Sequence, residues 1–198
     1  MHGSLLPQYR GASPVQEALL KGDLVTGISI MNIAEKMDSG AVYKMRPLRV
    51  ESIDTAKTLL QKLSELSVFL SQDLLEIAQG LKPCSQNKKQ VSYCQKIQKK
   101  DAEIKFSQNS AQEIYNKMRA FDPWPGIFFQ YQGKRIKILS GKIIKNFADG
   151  DNQQFNLEFG IKTIKDYFLP IKIIPEGKKE QTYLEWFRNN CQKPSCKK

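Results

Sequence analysis

The first eighty residues alternate between strand-like and helix-like patterns of hydrophobic positions. Thr26–Ile33 is rich in β-branched residues and apolar on both faces, which predicts a strand in a sheet that is covered on both sides. Ala41–Val50 predicts a second strand, bent or at an edge because Pro47 has no N–H to donate. Leucines and aromatic residues at helical spacing predict one long helix over Ile53–Gln79. Together these elements predict an α/β unit.

A short helix is predicted ahead of the first strand. Ser13 is placed as its N-cap, Pro14 fits the first helical position, and Gln16 completes a capping box. We expect the helix to run to about Lys21 and to end at Gly22-Asp23.

Residues 81–101 are polar and basic with few apolar side chains, which is typical of a linker. The sequence therefore predicts a first domain over residues 1–82, a linker over 83–101 and a second domain over 102–198. Neither domain contains a visible internal repeat.

The second domain carries one strong helix signal followed by short strands. Ser110 and Glu113 form a capping box that predicts a helix to about Ala120. After the turn at Asp122–Gly126, two apolar runs around Gln132-Gly133 predict a hairpin. Several short strands with one helix predict a small β-barrel. The predicted strands are 127–131, 135–140, 155–159, 161–164 and 168–174.

Charge is concentrated in the second half of the chain. Residues 91–198 contain 20 lysines and arginines against 11 acidic residues, whereas residues 1–90 are nearly balanced. A one-sided basic excess indicates a polyanion partner, most often nucleic acid. A lysine-rich proteome is the alternative, and any single lysine can be a solvated surface residue. The candidate phosphate contacts are Lys134, Arg135, Lys137, Lys142, Lys145, Lys178 and Lys179.

The cysteines and the single histidine argue against a zinc site. Cys84, Cys94, Cys191 and Cys196 form no CxxC pair, and a zinc site needs four ligands at close spacing. We expect reduced thiols in a cytoplasmic protein, with Cys191 and Cys196 in a frayed polar tail. No stretch approaches the ~18 apolar residues of a membrane span, so no membrane partner and no metal are expected.

Candidate chemistry lies near the start of the chain. His2 stands in a glycine- and proline-containing loop that leads into a helix, and Asp38 stands in a turn between the two predicted strands. An imidazole and a carboxylate on neighbouring loops are the minimum set of groups for acyl transfer to an amine. The alternatives are a disordered terminal histidine and an aspartate that only forms a turn.

Longer strings carry a resemblance to a known family. The run from His2 to Pro14, with Thr26–Met31 and Met37–Gly40, resembles the active-site segments of the 10-formyltetrahydrofolate-dependent formyltransferases. Arg119–Gly126 and Pro175–Lys179 resemble the methionyl-tRNA formyltransferases within that family. The resemblance covers essentially the whole chain in family order.

The resemblance implies roles for individual residues. His2 would be the catalytic histidine that polarises the formyl carbonyl, and Asp38 the aspartate that orients it and helps the amine lose its proton. The donor 10-formyltetrahydrofolate would lie along the residues after His2, and Arg10 just beyond them is a candidate tRNA contact. The turn Asp122–Gly126 would be structural, with Trp124 as a large anchor. The folate-lining residues would be Ser4, Leu5, Leu6 and Pro7.

The implied architecture is the carboxy-terminal half of a Rossmann-like formyltransferase domain followed by an OB-like barrel that supports tRNA. The implied reaction is formyl transfer to the α-amino group of methionyl initiator tRNA, by a protein that is monomeric when complete. The alternatives are a sugar-nucleotide N-formyltransferase, the hydrolase domain of formyltetrahydrofolate dehydrogenase, and a non-catalytic tRNA-binding module.

The chain departs from the family pattern at its start. The family has an asparagine two residues before the histidine, and here only Met1 precedes His2. We expect the chain to begin inside its own active site, to lack the preceding half-domain and to be inactive alone.

The charge distribution yields a first prediction. Residues 102–198 should fold alone and bind tRNA with an affinity that falls clearly as salt rises, because phosphate contacts release counterions. Filter binding over a salt series measures this. Absence of binding at low salt would contradict it.

Overall fold

A computed structural model describes residues 1–145 and 154–191. The predicted thiol at Cys196 lies outside these residues. The chain divides into two compact units, Met1–Gln98 and Lys99–Lys198. Within the described ranges, no helix has both the length and the apolar character needed to cross a membrane.

The first unit contains three helices and two small sheets. Strands β2 and β3 pair antiparallel, from Val25 opposite Arg49 to Met31 opposite Val42, while β1 and β4 pair parallel. Both predicted strands and the first helix are confirmed within about two residues. The elements are β1 (Arg10–Gly11), α1 (Pro14–Lys21), β2 (Val25–Met31), β3 (Val42–Arg49), α2 (Ala56–Val68), α3 (Leu70–Ala78) and β4 (Tyr93–Cys94).

The predicted single helix over residues 53–79 is two helices that meet at Phe69. The Ser67 hydroxyl donates to the Ser64 carbonyl at 2.6 Å, and the Phe69 N–H bonds to the Leu66 carbonyl only three residues back. A serine that bonds back into its own helix and a tightened last turn both interrupt regular α-helix. The apolar spacing continues across the break, which is why it did not appear in the pattern.

The start of α1 differs from the capping-box prediction. Ser13 is the N-cap and Pro14 the first helical residue, but the Ser13 side chain makes no capping bond. Instead, its backbone N–H donates to the Cys94 sulfur at 3.3 Å. The helix ends at Gly22, as predicted, and this glycine is in the left-handed conformation.

The close approach of β2 and β3 depends on Gly27, which lies opposite Pro47. A Cβ at Gly27 would collide with the Arg46 carbonyl and lie 2.6 Å from the Leu5 side chain. Only glycine therefore lets the Leu5 loop and the neighbouring strand pack on this position. The proline is tolerated inside β3 without breaking the strand.

The division between the units, after Gln98, lies inside the predicted linker, and the linker residues before it pack on the first unit. Cys84 and Val42 exchange two backbone hydrogen bonds of 2.8 Å, and β4 pairs with β1. The Ser92 hydroxyl accepts the Tyr9 N–H at 2.9 Å. These contacts use backbone and short polar groups, so the segment lacks the apolar pattern of an ordered element.

A buried carboxylate joins α3 to β3. Asp73 is fully buried and accepts both Nε (2.6 Å) and Nη2 (2.8 Å) of Arg46, with the Lys44 ammonium 3.3 Å away. Lys44 also pairs with Glu76 at 2.6 Å. Bidentate guanidinium pairs of this kind fix geometry as well as charge. Residues 44 and 46 face α3, so their neighbours 45 and 47 face the other side of the strand.

The second unit is an antiparallel sheet with two helices. Its strand order is β5-β6-β9-β8-β7, with β10 paired to β9. The capping box of Ser110 and Glu113 is present, and the hairpin turns through Gln132 (φ 49°) and Gly133 (φ 76°) as predicted. The elements are α4 (Ala111–Ala120), β5 (Ile127–Tyr131), β6 (Lys134–Ile144), β7 (Phe155–Asn156), β8 (Gly160–Lys162), β9 (Tyr167–Pro175), β10 (Gln181–Thr182) and α5 (Tyr183–Asn190).

The predicted β-barrel is not closed. The end strands β5 and β7 are not paired with each other in the described sheet. β7 has only two residues, so aromatic side chains bridge the gap where a ladder would be needed: the Phe155 ring lies 5.4 Å from Tyr131 and 6.0 Å from Trp186. Packing of rings and of α5 replaces hydrogen-bonded closure.

Helix α5 was not predicted, and it reaches Cys191, which was placed in a frayed tail. The Cys191 N–H bonds to the Phe187 carbonyl at 2.8 Å, and its sulfur lies 3.4 Å from the Tyr131 hydroxyl. Burial raises the pKa of this thiol. The tail prediction for Cys191 is therefore corrected.

The Asp73 contacts predict a specific pH dependence. The Arg46 guanidinium holds the pKa of the Asp73 carboxyl below its ordinary value, so its stabilisation is complete above about pH 4 and disappears as pH falls through the lowered value. Asp73→Asn should reduce the free energy of unfolding by about 2 kcal/mol at pH 7. The difference in the free energy of unfolding between Asp73→Asn and the parent chain should become smaller below about pH 4.

Urea unfolding followed by circular dichroism at several pH values measures this gap. Glu76→Gln is the matched control, because this half-exposed carboxylate on the same helix should contribute about 0–1 kcal/mol. An Asp73→Asn effect no larger than that of Glu76→Gln would refute the assignment.

Candidate active site

His2 is an ordered residue of the first unit. Its N–H donates to the Ser29 carbonyl and its carbonyl accepts the Ser29 N–H, both at 2.9 Å, so residue 2 forms an antiparallel bridge on β2. The residue is 8% exposed. The alternative of a disordered terminal histidine is therefore wrong.

The His2 imidazole faces two oxygen atoms. Nε2 lies 2.9 Å from the Tyr9 carbonyl, which only accepts, so Nε2 carries a proton. Nδ1 lies 3.5 Å from Oδ2 of Asp38. The structure thus brings together the histidine and the aspartate predicted from the sequence, which lie 36 positions apart in the chain.

Asp38 is held by the loop that follows His2. Its Oδ2 accepts the Gly11 N–H at 2.8 Å, and its own backbone is left-handed at φ 51°. Gly11 has φ 130°, and a Cβ there would collide with the Cys94 carbonyl. The carboxylate is therefore placed by a backbone position that only glycine fills.

Gln86 holds the Asp38 turn from the other side. Its side-chain NH₂ donates to the carbonyls of Asp38 (2.8 Å) and Gly40 (2.7 Å). Its Oε1 accepts Nε (3.1 Å) and Nη2 (2.7 Å) of Arg10. Arg10 is 9% exposed, so this placement replaces the predicted tRNA contact: the guanidinium fixes Gln86 and, through it, the aspartate loop.

The loop after His2 is braced by two serines. The Ser29 hydroxyl donates to the Ser4 carbonyl (2.7 Å) and accepts the Leu6 N–H (3.0 Å). The Ser4 hydroxyl donates to the Gln8 carbonyl at 2.5 Å, and Ser4 is 1% exposed. Ser4 therefore shapes the loop, whereas the predicted role was to line the folate.

An apolar groove of about 470 Å³ lies beside this loop. Three of the four predicted folate-lining residues are on its wall, and the outward side of β3 supplies the opposite wall. Sites for small ligands are commonly apolar and carry a few polar groups. The lining residues are Leu5, Leu6, Pro7, Gln8, Met45, Pro47 and Gln90.

Sequence reasoning missed Ser29, Gln86 and Cys94. A serine inside the apolar run Ile28-Ser29-Ile30 needs a hydrogen-bond partner when buried, and that requirement was the available signal. Gln86 stood in a polar stretch where nothing distinguished it. The buried Cys94 sulfur donates to the Tyr9 carbonyl at 3.3 Å, and burial raises the pKa of the thiol.

The predicted nucleic-acid contacts lie in the second unit. Arg135 and Lys137 line a second groove of about 510 Å³, and the Arg135 guanidinium stacks 4.2 Å from the Phe128 ring centre. Lys142 lies five residues beyond Lys137 on β6, which is about 17 Å at about 3.4 Å per residue. The other predicted contacts in this unit are exposed and do not line the groove: Lys134, Lys142, Lys145, Lys178 and Lys179.

Two family profiles match the chain. Residues 1–74 match the family described as formyl transferase, and residues 96–190 match the formyl transferase carboxy-terminal domain. The two matches follow the two structural units.

Curated relatives share sequence with most of the chain. The methionyl-tRNA formyltransferase of a Nitratiruptor species is 44% identical over 69% of this chain, and that of Natranaerobius thermophilus is 33% identical over 95% of it. The chain spans 44% and 63% of the lengths of these two relatives.

A solved structure shares the fold. The N-formyltransferase from Helicobacter canadensis, in complex with folinic acid and dTDP-3-aminofucose, superposes with a TM-score of 0.66 at 21% identity. The superposition covers 90% of this chain and 64% of that one.

The Gly11 position yields a matched pair of variants. Gly11→Ala should destabilise the first unit by about 1–3 kcal/mol and displace the Asp38 carboxylate, because the new methyl meets the Cys94 carbonyl. Gly133→Ala has a positive φ of 76° but nothing within 4 Å of the added carbon, so it reports backbone strain alone.

Because His2 is the only histidine, its imidazole gives one set of NMR signals. These signals should shift in Gly11→Ala and not in Gly133→Ala. Unchanged signals in Gly11→Ala would show that Gly11 does not position Asp38.

Proposed function

The chain belongs to the formyl transferase family, and we propose that its residues take part in formyl transfer from 10-formyltetrahydrofolate to the α-amino group of methionyl initiator tRNA. The observation that carries the proposal is the His2–Asp38 pair at 3.5 Å, held next to an apolar groove. The chain spans less than two thirds of the lengths of these two methionyl-tRNA formyltransferases. The reaction of the whole protein is therefore part of what we propose.

The groove suits the ring system of a folate donor. Leu5, Leu6 and Pro7 on one side and Met45 and Pro47 on the other offer aliphatic surfaces to a flat heteroaromatic ring. The amides of two glutamines at the groove can pair with polar ring edges. The folinic acid complex of the structurally similar Helicobacter canadensis protein agrees with this ligand class.

The pair suits the chemistry of acyl transfer. The amine nitrogen attacks the formyl carbon, its C–N bond forms as the bond to N10 of the folate breaks, and one proton passes from the amine to N10. Both contacts found for the Asp38 carboxylate within the described residues are made by Oδ2, and in this proposal Oδ1 relays the proton.

His2 would stabilise the charge on the formyl oxygen. Its Nε2 proton now bonds to the Tyr9 carbonyl, and the formyl oxygen would take that carbonyl's place as acceptor. Gly11 and Gln86 keep Asp38 against Nδ1 during this exchange. The imidazole is then oriented by the carboxylate and needs no second protein partner at Nε2.

The choice of acceptor rests on charge and on the relatives. The basic second half of the chain fits a polyanionic acceptor such as tRNA. A nucleotide sugar carries few charges, and its binding would not require such a basic region. The likeness to the sugar N-formyltransferase, at 21% identity, shows the fold alone. An acceptor made for translation initiation supports a cytoplasmic location.

Asp38→Asn should lower formyl transfer about 10²- to 10⁴-fold, because the amide cannot take up the amine proton. The rate of formyl-methionyl-tRNA formation from 10-formyltetrahydrofolate measures it. The matched control is Glu35→Gln, which removes an exposed carboxylate three residues away and should leave the rate unchanged.

The assay uses the 198-residue chain and, beside it, the same chain extended by any in-frame codons that precede Met1. In whichever form shows formyl transfer, turnover by Asp38→Asn equal to that of the parent would exclude the proposed role. Tight tRNA binding with no formyl transfer by either form would favour the non-catalytic alternative.

A further inference from the structure

Trp124 is exposed on a fixed turn. Its side chain is 52% exposed, whereas the chain's other tryptophan, Trp186, is 2% exposed in the aromatic core. Trp124 was predicted to be a large anchor of the turn, and its exposure corrects this. A large ring that is held outward is available to a partner.

The turn that carries Trp124 is tied to the core of the second unit. The Gly126 N–H donates to the carbonyl of Phe121 at 2.8 Å, and the Phe121 side chain is 2% exposed. Pro123 and Pro125 restrict the backbone on both sides of the tryptophan. Little conformational entropy remains to be lost when a ligand meets the ring.

A cation lies next to this turn. A Cβ built on Gly126 would be 2.8 Å from Cε and 3.5 Å from Nζ of Lys137, so the Lys137 ammonium covers the glycine. Gly126 is two residues from Trp124, which limits the distance between their Cα atoms to about 7 Å. The Lys137 ammonium group therefore adjoins the turn that carries the exposed tryptophan, at the surface of the second unit.

The surface continues into the basic groove of the second unit. Lys137 lies opposite Phe128 in the hairpin, and the Arg135 guanidinium stacks on the Phe128 ring. Also on the groove lining, the Glu176 carboxylate accepts the backbone N–H of Arg135 at 3.0 Å. An anion is therefore favoured at the Lys137 end, beside the tryptophan.

We propose that Trp124 stacks on an unpaired base of an RNA while Lys137, with Arg135 behind it, contacts the adjoining phosphate. The inference rests on the proposed tRNA substrate and states how that RNA is held. Aromatic rings beside a cationic groove are the usual means of binding single-stranded nucleic acid, because every base presents a π-face. A duplex stem offers no free face to the ring, so the proposal selects an unpaired nucleotide.

Tryptophan fluorescence tests the stacking directly. Titration of the parent chain with uncharged initiator tRNA should quench the exposed Trp124 emission. In Trp124→Phe, only the buried Trp186 emits, and the quenching should disappear while the RNA still binds. Filter binding runs in parallel, so affinity is measured without the tryptophan signal.

Variants separate stacking from charge. Trp124→Ala should weaken tRNA binding roughly 5- to 100-fold and leave the slope of log K against log salt unchanged. Lys137→Ala should reduce that slope by about one. Leu184→Ala, which removes an exposed apolar side chain elsewhere in the same unit, is the control and should bind as the parent does.

The outcomes are distinguishable from failure of the proposed function. Salt-dependent tRNA binding with no Trp124 quenching and no effect of Trp124→Ala would overturn the stacking proposal while leaving the tRNA substrate intact. Absence of tRNA binding by the parent would reject the acceptor and the stacking proposal together.

Discussion

The hydrogen bond from the Gly11 N–H to the Asp38 carboxylate joins the two loops of the candidate active site. His2 and its loop are built onto β2, whereas Asp38 stands in the turn after that strand. Without this bond, nothing in the local conformation of either loop would keep the imidazole within 3.5 Å of the carboxylate. The bond in turn requires a positive φ and the space that is left because glycine has no Cβ atom. Catalysis would therefore depend on a glycine at position 11.

A second layer of polar contacts maintains that arrangement. Arg10 orients Gln86, and Gln86 holds the carbonyls on both sides of the Asp38 turn. Arg10 was a candidate tRNA contact, yet its guanidinium bonds to Gln86 inside the first unit. Positioning residues of this kind commonly determine how precisely a reactive pair is held.

Local signals allowed much of the fold to be predicted. The Ser110–Glu113 capping box, the Gln132-Gly133 hairpin turn and the helix end at Gly22 each depend on a few neighbouring residues, and each is present. The capping box of Thr182 and Glu185 is an equally local signal, yet α5, which it begins, was not predicted. The His2–Asp38 pair was predicted because the family resemblance supplied long-range information that spacing alone does not contain.

Other features could not be predicted because they depend on partners far away in the chain. Gln86 gains its role from contacts with Arg10 and Gly40, which precede it by 76 and 46 positions in the chain. The unclosed sheet follows from the shortness of β7, which becomes visible only once pairing is known. Trp124 was predicted to be a large anchor of its turn, but the direction of the turn, which hydrophobicity does not encode, leaves the side chain half exposed.

Strand β3 has two faces with separate duties. Lys44 and Arg46 on one face are fastened to Asp73, while Met45 and Pro47 on the other form a wall of the groove. Side chains on the groove wall can therefore be exchanged without loosening the strand, because its position is set from behind. A protein with this arrangement can change the shape of the ligand it accepts by single substitutions and keep its fold, which makes β3 the natural place for substrate preference to diverge among relatives.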